Sequence, residues 1–130
     1  MSDLHELKYP LSLVWGASLE RGFVFKDTEG TPIDLTGYTA EVQIRERLDA
    51  EVPTLALSSV QATPAGSGLG IVPSEGKVWM RIAGDESDNL PGKTRPARLV
   101  WDIRLTPPGG EFPKTYFRGS DLIVYPASTR

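Results

Sequence analysis

Apolar and polar side chains alternate residue by residue in several stretches of this chain. Lys77-Val78-Trp79-Met80-Arg81-Ile82 does so, and Arg98-Leu99-Val100-Trp101-Asp102-Ile103-Arg104-Leu105 does so again. Ala40, Val42 and Ile44 face one way, with Glu41, Gln43 and Arg45 opposite. Leu11, Leu13 and Trp15 alternate with Ser12 and Val14. Successive strand residues point to opposite faces of a sheet, so a period of two predicts half-buried strands. Leu19, Arg21, Phe23 and Phe25 share one parity in a further run, where Arg21 is placed at the strand's rim. Thr54–Ser58 reads as another strand, and Ile71-Val72 as a short apolar pair before Pro73.

Turn residues separate these runs. Lys26–Pro32 carries Asp, Gly and Pro, which suit tight backbone geometry, and Ile33–Tyr38 follows as a short corner. Arg45–Glu51 is a charged excursion closed by Pro53, with too few apolar residues for a packed helix. Gln61–Gly70 is small, polar and glycine-rich, which predicts a loop. Gly84–Leu90 predicts one helical turn that stops at Pro91. Pro107-Pro108-Gly109-Gly110 predicts a hairpin into Phe112–Arg118, Gly119-Ser120 an interruption, and Asp121–Tyr125 the last strand. Residues 1–10 read as an N-terminal arm, ordered only if something holds it. The expectation is an all-β chain: a single antiparallel β-sandwich of about eight strands over 11–130, preceded by the arm.

Bulk composition narrows the function classes. The chain has 130 residues, a common size for one domain, and a formal net charge of −3. No basic block offers a surface to nucleic acid. No apolar run approaches the roughly 18 residues of a membrane-spanning helix. The start, Met1-Ser2-Asp3-Leu4-His5-Glu6, has neither the basic opening nor the apolar stretch of a signal peptide. There is no cysteine, so the fold uses no disulfide and no thiolate metal site and can form in a reducing cytoplasm.

Candidate chemistry is sparse. His5 is the only histidine and sits in the arm, which supplies neither a pocket nor an orienting partner. Asp85, Glu86 and Asp88 lack the spacing of a calcium loop and read as a solvated helix start. Gly66-Ser67-Gly68-Leu69-Gly70 has the composition of a phosphate cradle, but a strand-like segment and Pro73 follow where a helix is required. Asp102 and Arg104 share the polar face of their strand and read as a surface ion pair. No catalytic, cofactor or metal set emerges, and a hydrolytic enzyme lacks its His and Cys partners. Trp15 and Trp101 share parity with apolar neighbours and are expected in the core. Trp79 opposes Val78, Met80 and Ile82 and is expected to face outward, as an interface residue.

Phe23-Val24-Phe25-Lys26-Asp27, the corner Gly30–Tyr38 with its Asp34-Leu35-Thr36-Gly37-Tyr38, and Ala40–Arg45 follow in an order that resembles a recurrent domain of tailed-phage virion proteins. Gly76–Ile82, Leu99–Leu105, Gly119, Pro126 and Thr129-Arg130 continue the resemblance, which covers roughly residues 19–130 and is similar to the N-terminal domain of siphophage baseplate upper proteins. The resemblance implies a small β-sandwich that attaches larger parts to a virion, without catalysis. That family's domain usually begins a longer protein. Here the chain stops at Arg130 and carries a leading arm, which suggests a free-standing virion subunit.

The resulting expectation is a structural virion protein, made in the bacterial host cytoplasm and placed at the tail tip or baseplate or at the head and neck. It would dock on other virion proteins, in several copies within a symmetric assembly. The expected contact residues are Leu4, Leu7 and Tyr9 of the arm, Trp79 and Arg81, and Phe112 and Tyr116 around the last hairpin. The rival readings are a carbohydrate-binding β-sandwich module and a capsid decoration protein.

Overall fold

A computed structural model describes residues 8–59 and 67–127 of the chain. It is all-β, with eight strands in two sheets: β1 (Leu11–Val14), β2 (Leu19–Val24), β3 (Thr39–Arg45), β4 (Leu55–Ser58), β5 (Gly68–Val72), β6 (Lys77–Ile82), β7 (Ala97–Thr106) and β8 (Lys114–Tyr125). One five-stranded sheet has the order β1-β8-β7-β3-β4, and a three-stranded sheet has the order β2-β6-β5. A helical turn, α1 (Gly84–Ser87), joins β6 to β7. A single core draws on both sheets. Val42, Ile44, Leu99, Trp101, Ile103, Leu122 and Val124 come from the larger, and Phe23, Leu69, Val78, Met80 and Ile82 from the smaller. Apart from Leu69, which the sequence places in a loop, these residues lie in the stretches read as strands.

The pairing is not purely antiparallel. β1 runs parallel to β8, with Leu11 opposite Leu122 and Val14 opposite Tyr125. An all-antiparallel arrangement was the natural reading of successive short strands, because hairpins pair neighbours. Here the first strand pairs with the last, so no hairpin dictates its direction. The chain instead enters beside β8, makes its parallel ladder and crosses to the other sheet through residues 15–18. That crossover is clamped by α1 and the residues after it: the Ser87 hydroxyl donates to the Ala17 carbonyl at 2.8 Å, and the Trp15 indole N–H donates to the Leu90 carbonyl at 3.0 Å.

Two further expectations change. Gly68-Leu69-Gly70 belongs to β5 and not to a loop, because antiparallel pairing with β6 overrides the weak strand preference of glycine. The segments on either side of Gly119 form one strand, β8. Its ladder with β7 shifts between Trp101↔Ser120 and Ile103↔Tyr116, leaving Asp102 opposite residues 117–119. Phe117 takes a left-handed backbone at φ 60°, which lets it and its neighbour Tyr116 both turn into the core.

The end of the arm is also held. The Tyr9 N–H donates to the Ser120 hydroxyl at 2.8 Å, and the Trp101 indole N–H donates to the Tyr9 carbonyl at 2.9 Å. The Lys8 ammonium donates to the Arg118 carbonyl at 2.7 Å. The irregularity in β8 therefore grips Lys8 and Tyr9 as part of the fold. Residues 1–7 lie outside the described part of the chain.

Candidate functional site

The outward face of the three-stranded sheet is built from three rows. Glu20 lies opposite Arg81, Gly22 opposite Trp79, and Val24 opposite Lys77; on the far side of β6, Gly70 flanks Trp79 and Val72 flanks Lys77. Trp79 thus stands on the central strand with a glycine on each side. It is 45% exposed, and Val24 is 46% exposed. A Cβ placed on Gly22 would meet the indole at 3.2 Å, whereas one placed on Gly70 would meet nothing within 4 Å. The ring therefore leans over β2 and leaves the backbone at Gly70 open. The Lys77 ammonium lies 4.2 Å from the indole centroid, a cation–π contact of about 0.5–1 kcal/mol at an exposed site. Arg81 pairs with Glu20 across the strands at 3.7 Å, both largely in water.

The other expected contact residues divide. Phe112 is 81% exposed in the loop between β7 and β8, with a left-handed backbone at φ 59° that a bulky side chain rarely adopts. Tyr116 is buried at 7% with its ring 4.9 Å from that of Phe25, so it serves the core and not a partner. Tyr9 is partly buried, with its ring edge-on to Phe23 at 4.9 Å and tilted against Phe117 at 5.3 Å, so one side of it packs on the core. Leu4 and Leu7 fall outside the described residues. Trp101 is a core residue as expected; Trp15 is half-buried against the core, with the Lys93 ammonium 5.3 Å from its ring.

A second feature escaped the sequence reading. On the face of the five-stranded sheet opposite the core, a cleft of about 290 Å³ is lined by Glu41, Gln43 and Arg45 of β3, Asp102 and Arg104 of β7, Thr115 and Arg118 of β8, and Leu48–Ala50 of the β3–β4 loop. Cross-strand pairing brings Glu41 beside Arg104 and Gln43 beside Asp102. The Gln43 side chain bridges its row: its amide donates to Glu41 at 3.4 Å and its oxygen accepts from Arg45, which also donates to the Ala50 carbonyl at 3.1 Å.

Asp102 is the odd member of this set. Among the described residues its carboxylate makes no ion pair, so the surface pair with Arg104 expected from the sequence is absent. Burial pushes its carboxyl above the usual aspartate range. The guanidinium groups of Arg45, Arg104 and Arg118 offset this only in part, and Glu41 adds to it. The shift in register at Asp102 explains how a mid-strand position comes to line a cleft: no residue of β8 lies directly across from it. The signal that could have found it was Phe117-Arg118-Gly119, an irregular run inside an otherwise alternating strand.

Among the described residues, no three His, Cys, Asp or Glu side chains gather to hold a metal, and no helix is long and apolar enough to cross a membrane. No protein-family model matches this chain, and no curated protein matches it.

Proposed function

We propose that this chain is a non-catalytic docking subunit of a bacteriophage virion, in which the two sheets pack face to face as a β-sandwich and the Trp79 face seats a neighbouring virion protein. The observation that carries the reading is Trp79 itself, a large aromatic left nearly half exposed between two glycines on the central strand of a sheet. Exposed aromatics with a flat surround are the side chains that interfaces favour, because they bury much area at little cost in side-chain entropy. The sequence resemblance to phage virion domains supplies the class of partner. Its distinctive corner has a physical role here: the Asp34 carboxylate accepts the Thr36 N–H at 3.0 Å and the Thr36 hydroxyl at 2.6 Å, which sets the turn that buries Leu35. Phe112 offers a second exposed contact. Tail tip or baseplate, head–neck junction and capsid surface are the candidate places, in several copies.

The test is incorporation into particles. Tagged wild-type chain and Trp79→Ala are expressed in an infected host whose phage carries the gene, and copies per purified particle are counted by mass spectrometry. Wild type is expected in the particles and Trp79→Ala at about a tenth of that level or less, as for a central aromatic of an interface, with an unchanged thermal midpoint for the isolated protein. Wild-type chain absent from particles, or equal incorporation of the variant, would sink the proposal. A collapsed midpoint would show instead that Trp79 serves the sheet by covering Gly22.

A further inference from the structure

We propose that the cleft on the five-stranded sheet binds a neutral saccharide, through hydroxyl groups that donate to Asp102 and accept from Arg104 and Arg118. The site is independent of the Trp79 face: it lies on the other sheet, on the side turned away from the shared core.

Three observations select this chemistry. The first is charge balance. Three guanidinium groups and three carboxylates line the cleft, so it offers no net attraction to a phosphate or to an ammonium group. A ligand that both donates and accepts, without charge of its own, uses every group present. Adjacent sugar hydroxyls have that property, since each carries one O–H donor and two acceptor lone pairs. The second is the state of Asp102. It has given up part of its water without gaining an ion pair among the described residues, and burial outweighs the arginines in setting its protonation. A carboxylate held in this way is an acceptor-only group waiting for donors. The third is division of labour. Glu41, Gln43 and Arg45 are tied to one another, and Arg45 also to the Ala50 carbonyl, so they form a fixed wall. Among the described residues, Asp102, Arg104 and Arg118 make no such bonds to one another and flank the β7–β8 irregularity, able to point at a shared ligand. Leu48 supplies the one large apolar side chain of the lining, against which the C–H face of a sugar ring can rest. The volume is at the small end of the roughly 300–1,000 Å³ typical of ligand sites, which limits the ligand to one or two rings.

The experiment titrates isotope-labelled full-length protein with glucose, galactose, mannose, N-acetylglucosamine and their common disaccharides at millimolar concentration, and follows backbone amide shifts. Glucuronate and glucosamine serve as charged controls. At least one neutral sugar is expected to shift the amides of Asp102, Arg104 and Arg118 saturably. Asp102→Ala is expected to weaken that binding about tenfold or more, the usual penalty for losing hydrogen bonds to a charged group. Trp79→Ala is expected to bind as wild type does, which separates this site from the docking face. Should Asp102→Ala fail to fold, Arg118→Ala is read in its place, since that side chain is exposed and outside the core. Three results overturn the proposal: no saturable shift with any neutral sugar, shifts with glucuronate or glucosamine alone, or unchanged affinity in the variant that is read.

Discussion

At the scale of single residues, the decisive positions are those where alternation alone misleads about exposure. Asp102 occupies an outward position of β7, and so does Arg104, yet only Asp102 is half-buried and only its carboxyl is pushed upward. A carboxylate whose folded pKa exceeds its unfolded value costs stability above the folded pKa. That cost fades as pH falls through the folded value and is gone below the unfolded one. Asp102→Asn is therefore expected to raise the thermal midpoint at pH 7, with the gap to wild type closing as the pH is lowered toward 4; calorimetry across that range checks it. A variant less stable at pH 7 would show that Arg45, Arg104 and Arg118 together outweigh the burial. Asp34 has the opposite sign. The Thr36 hydroxyl and N–H bonds hold its carboxyl below the usual range, so whatever it contributes is present at neutral pH and lost in acid. Arg21 was legible as anomalous: it shares the inward parity of Leu19 and Phe23 but is exposed. A charge at such a position on an edge strand discourages pairing with a stray chain.

Among the elements, β8 and the turn at Gly76 organise the rest. Gly76 has φ 60°, and a Cβ there would come within 2.7 Å of the Phe25 carbonyl oxygen and 2.8 Å of that of Ile33. Its carbonyl accepts the Phe25 N–H at 2.8 Å, and Ile33 N–H in turn bonds the Phe25 carbonyl at 2.9 Å. The short helical turn Pro73–Glu75, the end of β2 and the corner before β3 thus meet at one glycine. Gly76→Ala is expected to cost more than the roughly 1–2 kcal/mol of a left-handed non-glycine residue, because backbone must also move. Urea unfolding measures it, and a loss under about 1 kcal/mol would mean that the corner yields freely. The β3, β6 and β7 strands were readable from their alternation because each buries one face against the shared core. β5 was not, since two of its five residues are glycine and its strand character comes only from β6.

For the molecule as a whole, the pairing of β1 with β8 ties the two ends of the chain together. Closing that contact carries the largest loop-closure entropy in the fold, so it is expected to form after the β7–β8 and β5–β6 hairpin contacts. Leu13 is 4% exposed at the centre of β1. Leu13→Ala is expected to cost about 2–4 kcal/mol, almost all of it as faster unfolding and little as slower folding. Stopped-flow kinetics in urea would show the split; a folding rate that falls in proportion to the lost stability would place β1 in the folding nucleus. The same architecture separates the two candidate surfaces. Trp79 lies on the outside of one sheet and the mixed-charge cleft on the outside of the other, with the core between them. The proposed partner protein and the proposed saccharide would therefore not compete for one surface.

What residues alone determined was the class of fold and the direction of most side chains. A period of two is a local property of extended backbone, and it placed Trp101 inside and Trp79 outside without any knowledge of partners. It also marked the corner at 34–38, because Asp, Gly and a buried Leu have local reasons to turn there. Tertiary structure alone decided which strands became neighbours, that the first runs parallel to the last, that Tyr116 belongs to the core and Tyr9 packs against it, and that Asp102 faces a cleft. Each of these depends on a contact between residues far apart in the chain, and the energy of such a contact is written in neither segment by itself.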